Sequence, residues 1–311
     1  QPLERPETAI EIHASVLEAE PENEAIVDAL ERLFENADLA PTIAPILQPV
    51  YERRGDWQRL VDVYAVREEA ATDVREKVDW HYRIAALYEN EGQQPEMAFS
   101  QFEAAANLEP GSEQTLGELL RLTDTLDNHG ELILFLQSIV EDIPSVERRI
   151  ATHRTIALLA RDKTHDLGGA EKQFRAILDI DPGDMPATDA LIALYRDKKD
   201  FANLVEILLR KAPMGVERGV AVADRNALYA EAGRIAADIL NKPDQAIEVF
   251  ETLHALDPNG DVGLDNLETL YERTEDWDNL VRIYRDKIGR TGDVTTKKHF
   301  ASLMGFVQAE K

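Results

Sequence analysis

The stretch AFSQFEAAANLEP, at residues 98–110, recurs in its pattern as AEKQFRAILDIDP at 170–182 and as AIEVFETLHALDP at 246–258. A weaker copy, AIEIHASVLEAEP, lies at 9–21. In each strong copy, an alanine, an aromatic residue four positions later and an apolar residue three positions after that fall on one stripe of an α-helix. The proline that follows marks the end of that helix. One such helix has no surface of its own on which to bury the stripe, so the repetition predicts an all-α solenoid built by stacking neighbouring helices.

A second phrase alternates with the first and predicts a helical hairpin. It keeps its spacings in three places: Tyr51, Trp57, Leu60, Val61 and Tyr64; Tyr195, Phe201, Leu204, Val205 and Leu208; and Tyr271, Trp277, Leu280, Val281 and Tyr284. The tyrosine closes one helix, a polar turn follows, and the next aromatic residue opens the partner helix. The first phrase is also preceded by a helix, in which Ala85, Ala157 and Gly233 recur at one position. These small residues predict close approach of the two helices.

Two kinds of hairpin therefore form a composite unit whose length can be read from the prolines. Pro110 and Pro182 are 72 residues apart, and Pro182 and Pro258 are 76 residues apart. From Pro21 to Pro110 the distance is 89 residues, so the first unit carries an inserted segment, placed at 35–50. Because prolines inside this segment remove backbone hydrogen bonds, we expect a short, bent extra helix there.

The repeats divide the chain, a single helical repeat domain at 1–311, into successive elements. These are a partial repeat at 1–20, an expanded repeat at 22–72, repeats at about 77–110, 113–145, 148–182, 185–215, 218–258 and 261–290, and a final helix at 294–309. The hairpin at 113–145 is the most degenerate, with Glu131 near the place where an aromatic residue is expected. The chain opens on what resembles a second helix and ends on apolar residues with no later partner, so we expect a segment of a longer array.

Composition restricts the possible functions. Sixty acidic residues against 34 basic ones give a formal net charge of −26, which disfavours nonspecific binding to nucleic acid or to anionic membranes. There is no cysteine, which excludes disulfides and thiolate chemistry. With no long apolar stretch and no leader, we expect a soluble, cytoplasmic protein without membrane insertion. No phosphate-binding glycine loop, nucleophile elbow or zinc helix motif is present, so we expect no cofactor, no metal and no enzyme.

The repeat pattern resembles the tetratricopeptide repeat family. The resemblance rests on hairpins of about 34 residues with a small residue and an aromatic residue four positions apart in the second helix, followed by a proline. The alternation with Asp-Trp-x-x-Leu-Val hairpins, as at 56–61 and 276–281, is similar to the long repeat arrays of large bacterial proteins. The resemblance implies a right-handed superhelix of stacked antiparallel hairpins. It also implies that the concave face, lined by the first helix of each hairpin, binds peptides or partner helices.

Candidate binding residues follow from the first helices. The side chains expected to face the groove are Arg121, Arg154, Leu158, Arg161, Arg196 and Arg234. Five arginines in a row would bind the carboxylates of an acidic partner peptide. The competing interpretation is that they neutralise Glu and Asp on adjacent helices. Trp80 does not recur with the repeat, and we expect it to be exposed and to anchor a partner.

Two further patterns are better explained as structure. The residues Asp257, Asn259, Asp261, Asp265 and Glu268 have the spacing of a calcium loop, but Val262 stands where glycine is required. An inter-repeat turn, with Asp261 capping the next helix, explains them better. His81 and His153 recur at one position, and we interpret them as packing groups.

The sequence therefore supports two functional hypotheses. The first is a non-catalytic scaffold that binds a partner protein or peptide on the concave face. The second is a structural spacer or a self-assembling array, in which the last helix docks end to end on the exposed first helix of another copy.

Overall fold

The computed structural model describes residues 6–214 and 220–310. Within these ranges the chain forms seventeen α-helices and no β-strand, so the prediction of an all-α repeat protein is confirmed. The helices are α1 Pro6–Ala19, α2 Glu24–Phe34, α3 Ala40–Arg54, α4 Trp57–Ala70, α5 Val74–Asn90, α6 Pro95–Leu108, α7 Glu113–Leu126, α8 His129–Ile139, α9 Val146–Asp162, α10 Leu167–Ile180, α11 Met185–Lys198, α12 Phe201–Lys211, α13 Val222–Arg234, α14 Pro243–Leu256, α15 Asp261–Arg273, α16 Trp277–Arg290 and α17 Val294–Glu310. Of the predicted repeats, residues 1–5, 215, 218 and 219 lie outside the described residues.

The helices form two compact units, residues 1–166 with α1–α9 and residues 167–311 with α10–α17. Within the first unit, α3 packs on α4 and α5 packs on α6, and within the second, α13 packs on α14 and α16 packs on α17. Each unit is therefore a stack of helical hairpins in which neighbours in sequence are neighbours in space. A π-helical segment, Ile235–Ile239, extends α13 at its end.

The first phrase supplies the cores of its hairpins. The alanine, the aromatic residue and the third residue of each strong copy are buried: Ala98, Phe102 and Ala105; Ala170, Phe174 and Ile177; and Ala246, Phe250 and Leu253. The small residues of the preceding helices are fully buried as well, and a Cβ added to Gly233 would lie 2.6 Å from two ring carbons of Phe250. The prediction that a small residue permits close helix approach is confirmed.

The turns of the second kind of hairpin share one local structure. Asp56, Asp200 and Asp276 cap the following helix, each accepting a hydrogen bond from the backbone N–H three residues later. The residue before each aspartate is left-handed, with φ of 66° at Gly55, 53° at Lys199 and 57° at Glu275. An aspartate cap followed by an aromatic residue is therefore the local signal that starts these second helices.

The degenerate hairpin follows the same rule with different residues. Asp127 is left-handed, with φ of 53°, Asn128 is the cap position, and α8 begins at His129. His129 is only 8% exposed and takes the place of the aromatic residue, two positions before Glu131. The imidazole thus replaces Trp57 or Trp277 as the ring that opens the second helix.

The inserted segment also differs from its prediction. In place of a short helix, α3 runs for 15 residues, includes Pro45 and Pro49, and continues past Tyr51. Each interior proline removes one backbone hydrogen bond. The helix nevertheless forms because one whole face is buried, with Ile43, Ala44 and Leu47 fully enclosed.

Candidate functional site

Arg121 lies on α7 and binds a carboxylate of α5. Its guanidinium donates to both carboxylate oxygens of Glu89 at 2.7 Å, and its Nε donates to Glu118 at 2.8 Å. These hydrogen bonds hold the pKa of Glu89 below its ordinary value and raise the pKa of Arg121. The pair joins two successive first helices within the first unit.

Two more of the candidate arginines are occupied in the same way. Arg196 on α11 donates to both carboxylate oxygens of Glu231 on α13, at 2.8 and 2.7 Å. Arg161 binds its neighbour Asp162, at 2.6 and 2.9 Å. For these arginines the structure agrees with internal neutralisation, the competing interpretation of the sequence.

The other candidates differ in their surroundings. Arg154 is half-buried on α9, and Leu158 on the same helix is 38% exposed. Arg234, at the end of α13, is exposed and makes no ion pair with any residue in the described ranges 6–214 and 220–310. Arg121, Arg154, Leu158 and Arg161 lie in the first unit, and Arg196 and Arg234 in the second.

The prediction of an exposed Trp80 is wrong. Its side chain is only 5% exposed, its ring centroid lies 5.1 Å from that of Tyr64, and the guanidinium groups of Arg67 and Arg83 lie 4.4 and 4.8 Å from the ring. Trp80 therefore fills the contact between α4 and α5, where cation–π contacts on both guanidinium groups add to its burial.

A recurrence in the sequence could have placed Trp80 correctly. Tyr284 and Phe300 are separated by the same 16 residues as Tyr64 and Trp80, and their rings stack with centroids 5.9 Å apart. Lys287 lies 5.4 Å from the Phe300 ring, at the position equivalent to Arg67. The aromatic pair and its cation thus belong to the repeat, but the ring at the second position changes from tryptophan to phenylalanine.

The repeat also carries a polar pair that sequence analysis missed. A nearly buried tyrosine that closes a first helix donates its hydroxyl hydrogen to a glutamate of the preceding helix: Tyr51 to Glu31 at 2.9 Å, Tyr195 to Glu171 at 3.0 Å and Tyr271 to Glu251 at 2.6 Å. An arginine contacts each pair: Arg59, Arg175 and Arg282. Burial raises the pKa of Tyr51 and of Tyr195 to about 12. These groups stabilise the stack and are not free for a ligand.

A cleft of about 380 Å³ opens in the second unit between α13 and the start of α15. Small residues line its floor: Ala223, Ala227 and Ala230 on α13, and Gly260 and Gly263 at the turn into α15. Gly263 is required there because an added Cβ would lie 3.1 Å from the Cβ of His254. The cleft therefore exists because these positions carry little or no side chain.

The polar groups of the cleft are mostly satisfied. Glu231 is held by Arg196, and Asp257 accepts a hydrogen bond from the side-chain amide of Asn226 at 3.0 Å. Val262, 43% exposed, adds an apolar wall. Arg234, at the rim, is the lining cation that has no carboxylate partner among the residues described. The arrangement can accept an apolar side chain on the floor and a carboxylate at the rim.

The turn with calcium-loop spacing is occupied by a lysine. Lys287 on α16 donates hydrogen bonds to both Asp265 and Glu268. Burial lowers the pKa of Lys287, but these hydrogen bonds outweigh it, and the net shift is upward. In the described part of the chain, no group of three or more His, Asp or Glu side chains is placed to hold a metal ion. Asp261 is the first residue of α15 and Gly260 holds the cap position, so the predicted cap at Asp261 is wrong.

The recurring histidines are packed within the protein. His153 is 3% exposed, and the Nδ1 of half-buried His81 lies 2.8 Å from the side-chain oxygen of Gln101 on α6. Among the residues that the structure describes, no helix is both long enough and apolar enough to cross a bilayer.

Comparison with known proteins gives one family match. The tetratricopeptide repeat model matches residues 264–298, which cover most of α15, all of α16 and the start of α17. No curated protein matches the chain.

Similar solved structures include the C-terminal part of a TPR repeat-containing protein from Cytophaga hutchinsonii, at 13% identity and a TM-score of 0.32, over 82% of this chain and 98% of that one. A tetratricopeptide repeat protein from Parabacteroides merdae is 15% identical with a TM-score of 0.28, over 85% and 99%. Yeast Tom70 is 12% identical with a TM-score of 0.29, over 92% of this chain and 58% of that one. At these values the likeness transfers no partner and no function.

Proposed function

We propose that this chain, as a repeat protein of the tetratricopeptide type, is a non-catalytic interaction scaffold that binds a segment of a partner protein in the cleft between α13 and α15. Helical repeat proteins generally use the surface formed by successive repeats to bind other proteins. The observation that supports this cleft is the unpaired Arg234 beside a floor of small residues.

The floor selects for an apolar anchor. Because Ala223, Ala227 and Ala230 leave space above α13, an aliphatic side chain of the partner can enter and lose its contact with water. Burying one such side chain contributes about 1.5–3 kcal/mol. A few anchors of this kind supply most of the affinity of a typical interface.

Arg234 selects for a neighbouring carboxylate. A hydrogen bond between charged groups contributes about 1.5–3 kcal/mol when one partner would otherwise be left alone. Arg121, Arg161 and Arg196 do not contribute in this way because their guanidinium groups already bind Glu89, Asp162 and Glu231. The partner segment is therefore locally acidic and carries an aliphatic residue close to its acidic one.

A peptide selection tests the proposal without knowledge of the natural partner. Peptides from a phage-displayed random library are selected on the wild-type chain, and their affinities are measured against Arg234→Glu and Ala227→Trp. Both positions are exposed, so the substitutions leave the core intact. Arg285→Glu on α16 and Ala202→Trp on α12, also exposed, are the matched controls.

We expect peptides that combine an acidic and an aliphatic residue. Their affinity should fall at least tenfold in each cleft variant, which corresponds to about 1.4 kcal/mol, and stay unchanged in the controls. If the selected peptides bind the cleft variants as tightly as the wild type, this cleft is not the binding site.

A further inference from the structure

The last helix, α17, stands in the register of a first helix. Asp293 accepts a hydrogen bond from the backbone N–H of Thr296 at 2.8 Å, as Asp73 does from Glu76 before α5 at 3.1 Å. Twelve residues after the cap position, α5, α9 and α13 carry the small residues Ala85, Ala157 and Gly233. In α17 the same position is Gly305.

The surface around Gly305 is uncovered. Ala85, Ala157 and Gly233 are buried, whereas Gly305 is exposed and a Cβ added to it would meet no atom within 4 Å. The position eight residues after the cap follows the same rule, since His153 and Tyr229 are buried and Ala301 is exposed. This surface of α17 has the residues that receive a second helix, but no second helix lies on it.

The first helix has the opposite deficiency. α1 carries the phrase of a second helix, AIEIHASVLEAEP at 9–21, and packs on α2. Ile12 is 59% exposed, and the Nδ1 atom of half-buried His13 has no hydrogen-bond partner. In the phrase His13 stands where Phe250 stands in α14, the residue whose ring covers Gly233.

We propose that α17 of one copy of this chain receives α1 of a second copy, and that the two helices form a hairpin in the register of α13 and α14. His13 then lies over Gly305, as Phe250 lies over Gly233. The contact joins two different surfaces, so it repeats from copy to copy and gives chains or rings of molecules.

Charge complementarity selects a second copy as the occupant. In the hairpin of α13 and α14, the Asn226 side chain donates to Asp257 at 3.0 Å. By register, these positions are Lys298 in α17 and Glu20 after α1, which are opposite charges. Lys298 is exposed beside Lys297, on a chain with a net charge of −26, and neither lysine forms an ion pair with a residue in the described ranges. The docking thus places one of the few uncompensated cationic patches against an acidic helix end.

Sedimentation velocity over a series of protein concentrations, at fixed physiological ionic strength, tests this contact. We expect the wild-type chain to associate as its concentration rises from micromolar to millimolar. Gly305→Leu fills the surface that α1 needs and should weaken association at least tenfold. Gly289→Leu is the matched control, because Gly289 on α16 is also exposed and has no atom within 4 Å of an added Cβ.

A charge-reversal cycle tests the register. Lys298→Glu and Glu20→Lys should each weaken association about three- to tenfold, and the double variant should recover the wild-type association, because the pair is then restored in reverse. Circular dichroism confirms that each variant is folded. A chain that stays monomeric at millimolar concentration, association that Gly305→Leu leaves unchanged, or a double variant that is no better than the single ones would each overturn the proposal.

Discussion

Gly233→Ala is the sharpest test of how these hairpins are held together. The added Cβ would lie 2.6 Å from Cε2 and Cζ of Phe250, whereas carbon atoms in favourable contact are about 3.5–4.0 Å apart. The ring is fully buried, so it has no free space into which it can move. The substitution therefore forces α13 and α14 apart by about 1 Å.

Two opposing effects determine the magnitude. Overpacking a buried contact costs about 1–3 kcal/mol. Replacing glycine by alanine inside a helix contributes about 1 kcal/mol of stability. We therefore expect Gly233→Ala to lower the free energy of unfolding by about 0–2 kcal/mol. The useful quantity is its difference from a glycine in the same register that has no neighbour, and Gly305 is that residue.

The assay is urea unfolding of the wild type, Gly233→Ala and Gly305→Ala at a protein concentration low enough to keep the chain monomeric. Gly305→Ala should stabilise its unit by about 0.5–1 kcal/mol, and the two variants should differ by about 1–3 kcal/mol. Phe250→Leu shortens the ring that causes the overlap, so it should make Gly233→Ala less destabilising. If Gly233→Ala stabilises the protein as much as Gly305→Ala does, close packing at this position is not what the structure indicates.

Three further predictions concern buried and paired groups. Trp80→Ala should lower the free energy of unfolding by about 3–5 kcal/mol in urea titrations, because it empties the contact between α4 and α5. Burial and the bond to a glutamate raise the pKa of Tyr195 to about 12, so its contribution to stability is complete below pH 10 and is lost as the pH rises through 12; Tyr195→Phe should flatten this alkaline loss in urea midpoints. The pKa of Glu89 is lowered by its hydrogen bonds from Arg121, so its contribution is present above pH 4.5 and is lost as the pH falls further; Glu89→Gln should reduce the slope of stability against pH in acid.

The fold could be predicted because packing between helices depends on residue size and spacing, and both are visible in the sequence. Ala98, Phe102 and Gly233 each occupy the place that their spacing indicates. The length of α3 could not be predicted, since the burial of Ile43 and Leu47 that offsets two interior prolines depends on contacts between helices. His129 was missed because an imidazole does not look like the aromatic residue that it replaces.

The candidate site was harder to predict because charge pairing depends on distances across helices. The sequence identified Arg121 and Arg196 as groove residues but could not show that Glu89 and Glu231 lie within 3 Å of them. Trp80 was assigned to the surface because only its residue type was compared, whereas its contact with Tyr64 repeats elsewhere as a different pair of rings. The cleft itself is formed by alanines and glycines, which give no chemical signal in a sequence.

One departure from the repeat is explained by packing. The hydroxyl group of Tyr64 donates to Glu52, and the hydroxyl group of Tyr284 donates to Glu272. In the equivalent hairpin both partners change together, to Leu208 and Arg196. A buried hydroxyl without an acceptor costs about 1–3 kcal/mol, so the loss of the tyrosine removes the need for the glutamate. Arg196 is then free to bind Glu231, and its presence needs no ligand.

Arg234 has no such explanation. It stands thirteen residues after the cap position, where α5, α9 and α17 carry Ala86, Leu158 and Phe306. No residue type is kept at this position, and Leu158, Arg234 and Phe306 are all exposed, so packing does not restrict it. A position that the stack leaves unrestricted is where successive first helices can differ in what they bind. Because Arg234 also has no carboxylate partner in the described ranges and lies at the rim of the cleft, recognition of a partner is the role that remains for it.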